Sequence, residues 1–75
     1  MRIMNITRAV GSITLPTDEI WQVRGGVLMV DTEADPAERE GLLLRDGDTI
    51  SFSAGTTVYY WNGGNANVHV VRVAV

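Results

Sequence analysis

The sequence predicts an all-β domain, a small antiparallel β-sandwich or barrel, and three observations carry that expectation. β-Branched and aromatic residues gather in short runs. Within several of these runs apolar and polar side chains alternate, the two-residue period of a strand with one buried face. The runs end at Gly, Pro, Asn or Asp, and no segment shows helical spacing over a normal helix length. Closely spaced short strands of this kind pack as a sandwich or close as a barrel. With 75 residues, positions 1–75 make one domain.

Arg2–Thr7 is the first predicted strand, ended before Gly11. In Ser12–Leu15, Ile13 and Leu15 share one face while Ser12 and Thr14 share the other. Pro16-Thr17-Asp18 turns the chain. Ile20–Arg24 and Val27–Asp31 flank Gly25-Gly26, a pair that permits a tight reversal or a bulge. Thr32–Glu40 is polar, acidic and interrupted by Pro36, so it reads as a solvated loop with room for one helical turn after Asp35. Leu42–Leu44 runs into Arg45-Asp46-Gly47-Asp48, whose Asp-Gly step signals a hairpin. Thr49–Ser53 alternates, with Ile50 and Phe52 inward. Ala54-Gly55 turns into Thr56–Trp61, and Asn62-Gly63-Gly64-Asn65 turns into the last strand, Val68–Val75. Val68 and Val70 occupy one face of that strand, and Val71, Val73 and Val75 the other. Either a bulge lies near Val70 or both faces are covered. In so small a domain, covering both requires a partner.

Composition points the same way. A chain of this length buries only about 60% of its unfolded surface, which leaves a thin stability margin. It has no cysteine, which excludes disulfides and thiolate metal sites as staples. Association with copies of itself or with a larger partner is the remaining route. The composition, 45% hydrophobic and 20% charged, is that of a globular domain rather than a disordered one. All six basic residues are arginine and the net charge is −3, so the basic stripe needed for a phosphate backbone is missing. Direct nucleic-acid binding is not expected. No apolar run reaches the roughly 20 residues that span a bilayer, so no membrane partner is expected either. Met1–Val10 lacks the continuous apolar core of a signal peptide, and synthesis in the cytoplasm follows as the expectation.

Candidate chemistry reduces to turns and packing. His69 is the only histidine, and a lone strand histidine is an ordinary surface or packing residue. Asp31, Glu33 and Asp35 alternate as in a calcium loop. An EF-hand needs glycine at its sixth position and glutamate at its twelfth, where Pro36 and Leu42 stand. Asp46 and Asp48 flank Gly47 as turn residues, not as a paired acid and base. Tyr59 and Trp61 share a strand face and read as packing or interface residues, while Trp21 fills the core.

The stretch from Gly47 to Asn62 resembles the second motif of the cupins. That motif runs glycine, five residues, proline, one residue, glycine, two residues, histidine, three residues, asparagine. Gly47, Gly55 and Asn62 stand at matching spacings, with Ser53 at the proline position and Val58 at the metal-ligand histidine position. Glu19 and Gly26 match the end of the first cupin motif, whose two histidines would fall near Ile13 and Leu15. The resemblance covers residues 13 to 62 and implies a minimal cupin-like jelly roll. Every histidine ligand is absent, which implies no metal and no metal-dependent enzyme. The reading that follows from it is a small ligand-binding domain or a degenerate isomerase-type enzyme, with a pocket lined by Trp21, Phe52 and Tyr60.

In length, β content, lack of cysteine and need for a partner, the chain is also similar to the small decoration, or cement, proteins of tailed-phage capsids. That resemblance is one of type. It implies a non-enzymatic virion protein, made in the host cytoplasm, that binds the outer surface of the major capsid protein and clusters as a homo-oligomer, a trimer above all. No catalytic, cofactor-binding or metal-binding residues are expected under it. The expected interface is Tyr59, Trp61, Val71, Val73 and Val75.

Overall fold

Among the described residues eight strands form: β1 (Arg2–Ile6), β2 (Gly11–Thr14), β3 (Glu19–Gly25), β4 (Val27–Asp31), β5 (Leu42–Arg45), β6 (Thr49–Phe52), β7 (Thr57–Asn62) and β8 (Val68–Ala74). They belong to a computed structural model that describes residues 2–33 and 41–75. The helical turn expected after Asp35, and Asp35 itself, lie outside the described residues.

The strands make two four-stranded antiparallel sheets, ordered β1-β8-β3-β6 and β2-β7-β4-β5. Only β4 and β5 are both consecutive in the chain and neighbours in one sheet. Every other consecutive pair is split between the two sheets. This interleaved order is the double Greek key of an eight-stranded jelly roll, the form of sandwich that the cupin resemblance implies.

The crossings correct the local reading of two turns. Asp46-Gly47 does not close a hairpin, because β5 and β6 lie in different sheets. Gly25-Gly26 is likewise neither a reversal nor a bulge but a corner between sheets. Gly25 has φ +98°, and a Cβ there would stand 2.6 Å from the Asn67 carbonyl oxygen, so only glycine fits. Gly26 N–H then donates to that same oxygen at 3.0 Å.

Between the sheets, Ile6, Leu15, Trp21, Val23, Leu28, Val30, Val58, Val68 and Val70 form one buried cluster. Trp21 is at its centre. Its ring meets Phe52 edge-on at 5.0 Å and Tyr60 edge-on at 6.1 Å, tying both sheets together. Ile13, Ile50 and Phe52 also turn inward, as their alternation predicts.

β8 contains no bulge. It runs in unbroken register against β1 on one side and β3 on the other. Val68, Val70 and Arg72 point inward and are buried, while His69, Val71 and Val73 point outward. The apparent change of phase at Val70 is an arginine standing where the inward valine pattern continues.

Candidate functional site

The interior between the sheets is filled largely by aliphatic side chains. The positions where a cupin would carry its metal-ligand histidines are occupied by Ile13, Leu15 and Val58, all on inner faces, with Ile13 directly opposite Val58 across β2 and β7. Among the described residues no group of three His, Cys, Asp or Glu side chains is placed to hold a metal ion. Trp21 is wholly buried and packs edge-on against both Phe52 and Tyr60, while Phe52 also borders an open cleft beside Val30 and Leu42.

One polar cluster does sit inside. Glu19 and Arg72 both face inward from adjacent strands, and both are buried. Arg72 Nε donates to Glu19 Oε1 at 2.8 Å and Arg72 Nη2 to Oε2 at 2.9 Å, a bidentate pair. Trp21 Nε1 donates to Oε1 at 3.0 Å, and the Arg72 guanidinium lies 5.5 Å from the Trp21 ring centroid. The hydrogen bonds from Arg72 hold the Glu19 carboxyl below its ordinary pKa, outweighing the burial that pushes it up. Sequence reading missed this pair. The signal was present, since Glu19 shares the phase of Trp21 and Val23, and Arg72 that of Val68 and Val70.

The other polar candidates are structural. Asp46 Oδ1 accepts from Gly25 N–H and Asp48 Oδ2 from Arg45 N–H, so both carboxylates brace crossings between sheets. Asp31 Oδ1 accepts from Glu33 N–H in a local turn. His69 faces outward between Asn5 on β1 and Arg24 on β3.

The five expected interface residues fall on two opposite outer faces. Tyr59 and Trp61 belong to the outer face of the β2-β7-β4-β5 sheet, where Trp61 is only 3% exposed. Val71 and Val73 belong to the outer face of the β1-β8-β3-β6 sheet. Val75 extends that row past the strand end, its N–H donating to the Asp18 carbonyl. Two residues not anticipated complete this second face. Ile3 stands directly beside Val71, and Ile20 directly beside Val73. Their phase could have shown it, because Ile20 lies between two inward residues, Glu19 and Trp21. Ile3 is 64% exposed and Val75 79%, and Ile20 and Val73 are each well exposed. The result is a continuous aliphatic patch across β1, β8 and β3 with no covering layer in the described chain.

No protein-family model matches this sequence, and no curated protein is significantly similar to it.

Proposed function

We propose that this chain is a non-enzymatic structural protein of a phage virion that decorates the capsid by binding the outer surface of the major capsid protein. The observation that carries the reading is the aliphatic patch of Ile3, Ile20, Val71, Val73 and Val75 on the outer face of one sheet. A sheet face of this kind is a surface for another protein, since contiguous exposed apolar area on a soluble domain marks an interaction site. The aliphatic Ile13, Leu15 and Val58 at the positions of the cupin histidines support this reading over a metal-dependent enzyme. Burial of the patch against capsid subunits would supplement the thin margin of a small core and clamp neighbouring subunits against internal pressure. The protein would be made in the host cytoplasm and reside on the virion surface.

The test is co-sedimentation with shells assembled from candidate major capsid proteins of tailed phages. The wild type should pellet with shells, and a Val73→Asp/Val75→Asp double variant should remain in the supernatant. Ser12→Asp, on the exposed edge of the other sheet, should still pellet. Wild-type protein that never pellets with shells would sink the proposal.

A further inference from the structure

The second sheet carries a different unfinished surface, at its edge rather than on its face. β5 reads Leu-Leu-Leu-Arg and, among the described residues, has β4 as its one strand neighbour, so its other side is a sheet edge, with the backbone of Arg45 there bound to Asp48. Natural edge strands are guarded by charge, proline, bulges or short polar sequences. The edge strand β6 follows that rule with Thr49 and Ser51 outward, and β1 carries Arg2 and Asn5. β5 does not. Leu43, on the outer face, is 49% exposed. Leu42 points inward beside Phe52 and Val30, at the lip of a cleft of about 290 Å³, and is still 62% exposed.

The hydrogen-bond phase shows which backbone groups this edge presents. Arg45 N–H donates to Asp48 Oδ2 at 2.8 Å rather than to Val27, its β4 partner. The Val27 carbonyl accepts from Gly63 N–H on the opposite side. Arg45 and Val27 are therefore a non-hydrogen-bonded pair. Pair types alternate along an antiparallel ladder, so Leu43 and Met29 are non-hydrogen-bonded too. The N–H and C=O of Leu43 point away from the sheet, into the open edge.

We propose that β5 is a self-association edge, to which a second copy of this chain adds its own β5 antiparallel about a two-fold axis through Leu43. The occupant follows from self-complementarity. An antiparallel pair about a two-fold must place like residues symmetrically, and side chains directly opposite each other share a face. Centred on Leu43, the outward N–H and C=O of each copy exchange two hydrogen bonds. Leu42 then lies opposite Leu44 of the second copy on the inner face. Arg45, the one charge in the strand, lies opposite Gly41 rather than another arginine. Registers shifted toward Arg45 fail. One centred on Leu44 makes that residue a non-hydrogen-bonded pair and relies for its flanking bonds on Leu43 meeting Arg45, whose N–H and C=O are already bound to Asp48. One centred on Arg45 needs those same groups and opposes two guanidiniums. The joined sheet has eight strands, and both exposed leucines of each copy are covered. This is a pair, not the trimer that the decoration-protein resemblance implies.

Two measurements test it. Light scattering of the purified full chain should give twice the 8.2 kDa of one chain. Leu43→Pro removes only the outward donor, a position where edge strands tolerate proline, and should return the mass to that of one chain with an unchanged circular-dichroism spectrum. A wild-type mass of one chain, or of three, overturns the proposal. The chain has no cysteine, so Leu43→Cys places one thiol per copy at the axis. Hydrogen-bonded partners stand about 5.5 Å apart at Cα, within the range of roughly 4.4–6.8 Å that a disulfide spans. Mild oxidation should link Leu43→Cys at least tenfold more completely than Ile20→Cys or Ser12→Cys. Equal linkage in all three overturns the proposal. Capsid binding reads the opposite sheet, so loss of either result leaves the other standing.

Discussion

Glu19 opens β3 with its carboxylate turned inward, and three donated hydrogen bonds from Arg72 and Trp21 hold it there. A charge so placed is stabilised only while its partner remains. Breaking a buried pair by removing one member costs about 3–5 kcal/mol, whereas replacing both by apolar residues can be close to neutral. Arg72→Met should therefore lower the unfolding free energy in urea by about 3 kcal/mol. Glu19→Leu/Arg72→Met should cost less than the single change, an outcome read from the two urea midpoints. The pair also sets an acid limit. The folded-state pKa of Glu19 lies below the ordinary 4.5, so its contribution is complete above that pH and is lost as pH falls through the lowered value. Wild-type urea midpoints should drop steeply below pH 4.5, and Glu19→Gln should show a shallower decline over the same range. Nothing in composition reveals this pair. The signal lies in strand phase alone, and Arg72 in a valine strand looks like a break in the pattern.

At the scale of elements, all eight strands were legible from alternation and turn residues, with ends displaced by a residue or two. Their assignment to sheets was not. Asp46-Gly47 specifies a sharp turn, and the structure has one, closed by Asp48 N–H donating to the Arg45 carbonyl at 2.9 Å. Turn chemistry fixes the local backbone but not which sheet the departing strand joins. That choice depends on long-range pairing, such as Gly47 N–H with the Val23 carbonyl. Gly47 and Gly55 have φ +89° and +84°, and a Cβ at either would meet nothing within 4 Å. A side chain there is strained by its backbone alone. Gly47→Val and Gly55→Val should each cost about 1–3 kcal/mol, and Gly→Asn, which tolerates positive φ, should cost less. Thermal melts of the four variants check the order. The faces on which the candidate interface residues lie were legible by the same logic. Alternation gave the outward valines of β8, but it could not show that Trp61, outward on β7, is covered.

The whole molecule is a slab, with extents of 30 × 25 × 15 Å, so its two broad faces are a large share of its surface. A standard interface takes about 800 Å² from each partner, which one broad face of this slab approaches. Val73 and Val75 make little of the core, and their replacement by aspartate should shift the melting temperature of the free protein by no more than a few degrees. The same variant should lose shell binding, which separates an interface role from a packing role. An interior closed by Ile13, Leu15 and Val58 should also leave the purified, untagged protein without stoichiometric zinc, iron or manganese by elemental analysis. A full equivalent of any of them would revive the enzyme reading.

The place of β8 has a consequence in time. β8 is the penultimate strand of its sheet in space, seated between β1 and β3, yet it is the last strand of the domain to be made. Until the stretch from Val68 to Arg72 is synthesised, β1 lacks its strand neighbour and Glu19 has no guanidinium to face. The first strand must therefore wait, unpaired, for nearly the whole domain to be translated. Only β4 and β5 can pair early as a local hairpin. Loop closure on this scale is slow, and β-topologies dominated by distant pairings fold in about milliseconds to seconds. Stopped-flow refolding should fall in that window, and ribosome-held chains ending before Val68 should remain open to protease while chains with β8 fully extruded resist it.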